Sequence, residues 1–148
     1  MDDLHLVGFI PYLVGKVHGL SGDKAFELAK IFTNQMDFLH FYRMFDEIIK
    51  HIHDKHRVDN IKDAIKYAPK PYHEKLHAAI TYNDTEQFIK DHAGTSCMLP
   101  HSIPLIIHIL SKVESFEDMW KLNTVLGGAS SERGLILGAI LSYLYPCP

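Results

Sequence analysis

The sequence predicts an all-α protein, and three observations lead to that fold class. Almost every segment repeats its apolar residues with the period of a helix, and none shows the strict alternation typical of an amphipathic strand. Proline, glycine and N-cap residues divide the chain at short intervals. The 148 residues, 47% hydrophobic and 22% charged, contain no linker, repeat or low-complexity tract. We therefore expect one domain, 1–148, built as a compact bundle of helices around one core.

The first three helices are predicted over residues 4–18, 22–32 and 34–55. Gly19 ends the first helix, and Ser21 is a suitable N-cap for the second. The third is the longest, and its aromatic and aliphatic positions follow the i, i+3, i+4, i+7 rule from Phe38 to Ile52. We expect this aromatic row, together with Trp120, in the core.

Three shorter helices follow over residues 57–68, 72–82 and 85–93. Pro69 stops the fourth helix, because the residue before a proline avoids the helical conformation. Pro71 suits the first turn of the fifth, where its missing N–H is not needed. Asp84 is the predicted N-cap of the sixth helix, and Gly94 follows its end.

The last third of the chain contains three more helices, over about 100–113, 116–126 and 131–145. Pro104 falls in the first turns of the seventh, and Ser115 with Asp118 resembles the capping box of the eighth. The ninth is capped by Ser130 or Ser131. It is apolar nearly all round, which predicts a central position in the bundle.

Composition excludes several classes of protein. The net charge of −3 gives no electrostatic reason to expect nucleic acid as a partner. The apolar N-terminal stretch is interrupted by Gly8 and Pro11 and is too short to span a bilayer, and it lacks a basic leader. Cys97 and Cys147 are too few for a disulfide framework. We expect a cytoplasmic protein with no membrane contact.

Histidine and cysteine give weak signals for chemistry. His73 and His77 are four residues apart on one helix face, but no third zinc ligand is evident, so we predict no metal ligands. His101 and His108 lie on an apolar helix and are expected to be core or rim residues. Cys97 has no evident base partner in the sequence, which argues against a nucleophilic role.

The turn between the last two helices carries the strongest candidate site. It is formed by Gly127, Gly128, Ser130, Ser131, Glu132 and Arg133. Backbone N–H groups at a helix N-terminus, two hydroxyls and an arginine would suit an anionic ligand. In the alternative interpretation, which we favour from the residues alone, Gly127 ends one helix, Ser130 caps the next and Glu132 complements the helix dipole.

Two separated parts of the chain resemble the ADP-ribosylglycohydrolase family, in particular its crystallin-J-like branch. Residues 33–37 resemble that family's T-x-N-x-D turn before a central helix, and residues 96–100 resemble its small-Cys-x-x-Pro helix entry. Residues 127–134 resemble its Gly-Gly-Asp turn, and residues 135–141 resemble the helix that follows. The resemblance extends along nearly the whole chain but covers only the C-terminal half of the family's domain.

The resemblance implies a helical bundle around a cleft, in which active members bind two Mg²⁺ ions and hydrolyse the glycosidic bond of ADP-ribose. Carboxylates from both halves of the domain hold those ions, as a hard cation requires. Here Ala129 replaces the first aspartate of the turn, Ser131 replaces the second acidic residue, and Glu132 stands where a hydroxyl residue is expected. The N-terminal metal motif is missing, so we expect no bound cofactor.

The predicted function is that of a truncated ADP-ribosylglycohydrolase-like pseudoenzyme, a binding or structural module. A residual ADP-ribose or nucleotide site would combine the turn with Thr33, Asn34 and Asp37. These three residues are alternatively an N-cap and a first-turn carboxylate. Two other functions remain open: a Mg²⁺-dependent ADP-ribosyl hydrolase, active alone or completed by a partner chain, and a crystallin-like structural protein.

The missing half also predicts a partner. In the full family the C-terminal helices pack against N-terminal ones, so the shortened chain should expose an apolar cleft wall. A homodimer, or a protein that supplies the missing half, would cover that wall.

Overall fold

The structure is a computed structural model that describes residues 4–31 and 35–145. Its α-helices are α1 (Ile10–Val17), α2 (Gly22–Ala29), α3 (Met36–Lys50), α4 (Arg57–Ala64), α5 (His73–Thr81), α6 (Thr85–His92), α7 (Leu99–Lys112), α8 (Phe116–Leu126) and α9 (Ser130–Leu141). Short 3₁₀ turns cover Leu6–Phe9, Ile65–Tyr67 and Lys70–Tyr72. No strand occurs in these two ranges, so the all-α prediction is confirmed.

Local sequence signals set the starts of α2, α6 and α8. The predicted caps Ser21, Asp84 and Ser115 each accept a hydrogen bond from the backbone N–H three residues on, at 3.0 to 3.2 Å. Such a bond satisfies one of the orphan donors of a first helical turn. Gly19 adopts a φ of 73° after α1, as a helix-ending glycine does.

Several helices are shorter than predicted. The first is divided, because Leu6–Phe9 winds as a 3₁₀ turn before α1 and Gly8 lies against the ring of Phe38. A Cβ at Gly8 would meet that ring at 2.1 Å. α3 ends at Lys50 rather than at residue 55, and α9 ends at Leu141 rather than at residue 145.

The core has an aromatic half and an aliphatic half. Phe9 packs its ring against those of Phe38, Tyr42 and Phe45, with centroids 5.5 to 5.6 Å apart, so the row on α3 is buried as predicted. Trp120 was expected in the core, but it is 62% exposed.

The aliphatic half surrounds α7, which is the central helix. The expectation that α9 lies at the centre was wrong. Every residue from 102 to 110 is buried, and α7 packs against α4, α5, α6, α8 and α9. α9 instead packs on α7 and α8 and leaves Leu135 61% exposed. The small residues of α9 are not required by a close approach to α8, since a Cβ at Gly138 would lie 3.6 Å from the ring of Phe116, an ordinary contact distance.

Within the described ranges, none of the helices has the length and apolar character needed to cross a bilayer.

Candidate functional site

The turn between α8 and α9 depends on two glycines in the left-handed region. Gly127 has a φ of 67° and Gly128 a φ of 60°. A Cβ at Gly128 would lie 2.1 Å from the carbonyl oxygen of Thr95, whereas Gly127 has open space around that position. The N–H of Ala129 donates to the same Thr95 oxygen at 2.8 Å. The second glycine is therefore required because another backbone segment passes directly over the turn.

Arg133 is the most unusual residue of the site, because it is fully buried. Its Nε donates to the side-chain oxygen of Asn123 at 2.9 Å. Nη1 donates to the carbonyl oxygen of Thr95 at 3.1 Å, and Nη2 donates to that of Gly127 at 2.5 Å and to that of Asn123 at 3.5 Å. All four of these acceptors are neutral. Burial lowers the pKa of Arg133, and the nearby charge of Glu132 acts in the opposite direction.

The guanidinium closes the C-terminal end of α8. The carbonyls of the last helical turn have no partner within their own helix and form the negative end of its dipole. Arg133 donates to the carbonyl oxygen of Asn123 in that turn and to that of Gly127, which follows the last helical residue, and it ties the loop around Thr95 to the same point. This contact explains how an arginine can be buried without a carboxylate. These contacts use four of the five N–H donors, and full burial keeps the guanidinium out of reach of a ligand in solvent.

Asn123 connects the two helices of the turn. Its side-chain nitrogen donates to the carbonyl oxygen of Ser130 at 2.7 Å, while its side-chain oxygen accepts from Arg133. The prediction that Ser130 or Ser131 caps α9 was wrong, since the N-cap is Ala129 and makes no side-chain cap bond. The tertiary contacts from Asn123 and Thr95 fix the start of α9 one residue earlier than a hydroxyl cap would.

The remaining residues of the turn differ in exposure. Ser130 is half-buried, whereas Gly128, Ser131 and Glu132 are exposed. A ligand approaching from solvent would thus meet the first turn of α9, whose N–H groups have no side-chain cap.

The second predicted part of the site lies on α3. Thr33 and Asn34 lie outside the described residues, and the N-cap of α3 is Gln35 rather than either of them. Asp37 is half-buried in the first turn of α3. Burial, followed by the negative charge of Asp37, raises the pKa of Tyr72 to about 12. Between residues 35 and 145, no hydrogen bond or ion pair joins Asp37 to the α8–α9 turn.

The structure contains a cysteine–histidine pair that the sequence reasoning missed. The Nδ1 atom of His5 lies 3.0 Å from Sγ of Cys97, so the expectation that this thiol has no base partner was wrong. The pair is held by backbone bonds on both sides: the N–H of Leu6 donates to the carbonyl oxygen of Cys97 at 2.9 Å, and that of Leu99 donates to the carbonyl oxygen of Leu4 at 2.8 Å. The partners are 92 residues apart, and no local pattern could have connected them.

Neither the turn nor the histidines form a metal centre in the described part of the chain. No group of three or more His, Cys, Asp or Glu side chains is placed there to hold an ion. His73, half of the predicted zinc-compatible pair, has its Nε2 atom 2.8 Å from the carbonyl oxygen of Ala68.

Comparison with known proteins gave no relative: no protein-family model matches the chain, and neither does any curated protein or solved structure.

Proposed function

We propose that this chain is a truncated ADP-ribosylglycohydrolase-like module that binds or supports a partner molecule without catalysing a reaction. The observation that carries the proposal is the state of the α8–α9 turn. Ala129 and Ser131 occupy the positions at which the resemblance would place acidic metal ligands. Arg133 donates its hydrogen bonds to oxygens within the fold. The turn has the chemistry of a structural junction with an open helix N-terminus.

A residual ligand site would lie at the start of α9 and would accept the pyrophosphate of ADP-ribose. The uncapped N–H groups and the positive end of the helix dipole favour an anion there. The exposed hydroxyl of Ser131 can donate to it, whereas the exposed carboxylate of Glu132 opposes it. We therefore expect weak affinity.

Calorimetric titration of the purified chain with ADP-ribose, with and without Mg²⁺, tests this proposal. Arg133→Ala is unsuitable as a probe because the residue holds the fold together. Ser131→Glu is better, since it adds a charge at an exposed position. Ser142→Glu, at the exposed far end of the same helix, is the matched control. We expect Ser131→Glu to weaken binding about tenfold, which corresponds to about 1.4 kcal/mol, and the control to leave it unchanged.

The other outcomes of the titration separate the remaining functions. No heat at millimolar ADP-ribose would remove the residual site and leave the crystallin-like structural role. Release of free ADP-ribose from an ADP-ribosylated substrate in the presence of Mg²⁺ would overturn the non-catalytic proposal in favour of a hydrolase.

Self-association is the second part of the proposal. Val7, Ile10, Val14 and Val17 are 40%, 49%, 49% and 83% exposed, and they follow one another at intervals of three, four and three residues. This spacing places apolar side chains along one side of a helix. A second copy of the chain could present the same stripe in return, as a two-fold interface requires.

Light scattering over a range of protein concentrations tests the dimer. Val14→Lys should shift the chain to the monomer, because a lysine in the middle of an apolar interface is buried without a partner. Val125→Lys is the control, since Val125 is 84% exposed on α8, outside the stripe. At about 100 µM protein, a Kd of about 1 µM would give almost complete dimer. A native chain that stays monomeric at that concentration contradicts the proposed dimer.

We also propose a cytoplasmic location. Cys97 is a free thiol in the structure, which suits a reducing compartment. Fluorescence microscopy of the tagged chain, checked against cell fractionation, would test the location.

A further inference from the structure

The pair formed by Cys97 and His5 is built into the backbone of the fold. His5 forms an antiparallel bridge with Met98, the residue after Cys97, and the Nδ1 atom of His5 lies 3.0 Å from Sγ of Cys97. Cys97 is partly exposed, so its sulfur is not sealed in the core. It lies two residues before the first residue of α7, a helix of 14 residues.

Two of these features, the nearby imidazole and the start of α7, bear on the chemistry of the thiol, and its partial exposure lets a reagent reach it. An imidazole within hydrogen-bond distance of a thiol can take its proton, and the resulting ion pair stabilises itself. The positive end of the α7 dipole favours negative charge next to it. Nucleophile and base are already in reach of each other, so no rearrangement is needed before reaction.

We propose that Cys97 is a reactive thiol, activated by His5, that reduces small hydroperoxides and is itself converted to the sulfenic acid. His5 takes the proton of the thiol, and a lone pair of the thiolate sulfur attacks the terminal OH oxygen of the peroxide. The S–O bond forms as the O–O bond breaks. The leaving hydroxide or alkoxide takes the proton from the His5 imidazolium and departs as water or an alcohol. The sulfur is oxidised by two electrons and the peroxide is reduced by two.

A hydroperoxide suits the pair on chemical grounds. The leaving oxygen of a peroxide needs a proton, and His5 holds one after it has deprotonated the thiol. Partial burial of Cys97 also favours a small reagent. This inference does not depend on the family resemblance or on the α8–α9 turn.

The experiment uses hydrogen peroxide on the full chain with Cys147→Ser, so that Cys97 is the sole thiol. Met98 beside it is 37% exposed and can also gain oxygen, so mass gain alone is ambiguous. Dimedone, which traps sulfenic acid, followed by peptide mapping, locates the product. The rate is compared in His5→Asn and in the control His101→Asn, whose imidazole contacts Ser96 instead of Cys97.

We expect His5→Asn to slow sulfenic acid formation at pH 6 about tenfold, because asparagine cannot accept the proton of the thiol as the imidazole 3.0 Å away can. The His101→Asn control should keep the parent rate. Equal rates in His5→Asn and the parent overturn the proposal.

A second measurement uses no histidine variant, so it tests the activation of Cys97 even if His5→Asn disturbs the fold. The Cys147→Ser chain is treated with peroxide when folded and again when unfolded in urea. A partly buried but ordinary thiol reacts more slowly in the folded state, whereas an activated one reacts faster. A folded rate at or below the unfolded rate overturns the proposal.

Discussion

Replacing Arg133 by methionine should destabilise the protein far more than replacing an arginine in an exposed ion pair. The substitution keeps most of the volume of the side chain and removes all its donors. The carbonyl oxygen of Thr95 retains a bond from the N–H of Ala129. The side-chain oxygen of Asn123 and the carbonyl oxygen of Gly127 lose the donors that Arg133 supplied. The carbonyl oxygen of Asn123 loses only a long contact of 3.5 Å, which adds little to the cost.

Two acceptors left without donors cost about 1–3 kcal/mol each, or about 4 kcal/mol together. Removing a buried charge returns part of its desolvation cost. We therefore expect the free energy of unfolding to fall by about 3 kcal/mol, and the melting temperature by about 6–12 °C for a chain of this size. Urea and thermal denaturation followed by circular dichroism measure both quantities.

Arg43→Met is the matched control. Arg43 donates from Nε and Nη2 to the two carboxylate oxygens of Asp23, at 2.8 and 3.2 Å, but this ion pair is exposed. Exposed pairs contribute at most about 1 kcal/mol because water screens them. If Arg133→Met costs less than about 1 kcal/mol, or no more than Arg43→Met, then Arg133 does not hold the turn and the reasoning about its role is refuted.

Two further predictions concern the turn and the core. Gly128→Ala should cost more than about 3 kcal/mol, since its Cβ would meet the Thr95 carbonyl in addition to the strain of its positive φ. Gly127→Ala should cost about 1–3 kcal/mol, because only its backbone conformation, φ 67° and ψ −149°, opposes a side chain. Urea denaturation that finds the two costs equal would contradict the close approach at Gly128. Burial lowers the pKa of His108 in the folded protein below the value of about 6.5 expected for the unfolded chain. Below about pH 6.5 the unfolded state therefore binds more protons than the folded state, and the free energy of unfolding falls as the pH decreases through the folded pKa. His108→Gln should flatten this part of the profile in urea melts at pH 5.5 and 7.5, whereas His101→Gln, at an exposed position, should not.

The helix boundaries that were predicted correctly are those set by local chemistry. Ser21, Asp84 and Ser115 cap their helices because a short polar side chain can reach an N–H three residues on, whatever surrounds it. The start of α9 was predicted wrongly because Asn123, on the preceding helix, and Thr95, which is distant in sequence, determine it.

The site shows the same division between local and distant effects. The Gly-Gly turn was predicted from its residues. The burial of Arg133 was not, because an arginine near a helix N-terminus is usually an exposed cation. Its acceptors are mostly backbone carbonyls, which carry no sequence signature. The partner of Cys97 was missed because His5 approaches it only through the folded backbone.

The bridge between His5 and Met98 also has a consequence for the order of folding. It closes a loop of about ninety residues, whereas α1 with α2 and α2 with α3 pack between neighbours in the chain. Closing a long loop costs chain entropy before any contact repays it, so such contacts form late. We therefore expect the hydrogen bond between the Leu6 N–H and the Cys97 carbonyl to form late in folding. Hydrogen exchange at the Leu6 amide, followed during refolding, would measure when this hydrogen bond forms relative to the rest of the fold.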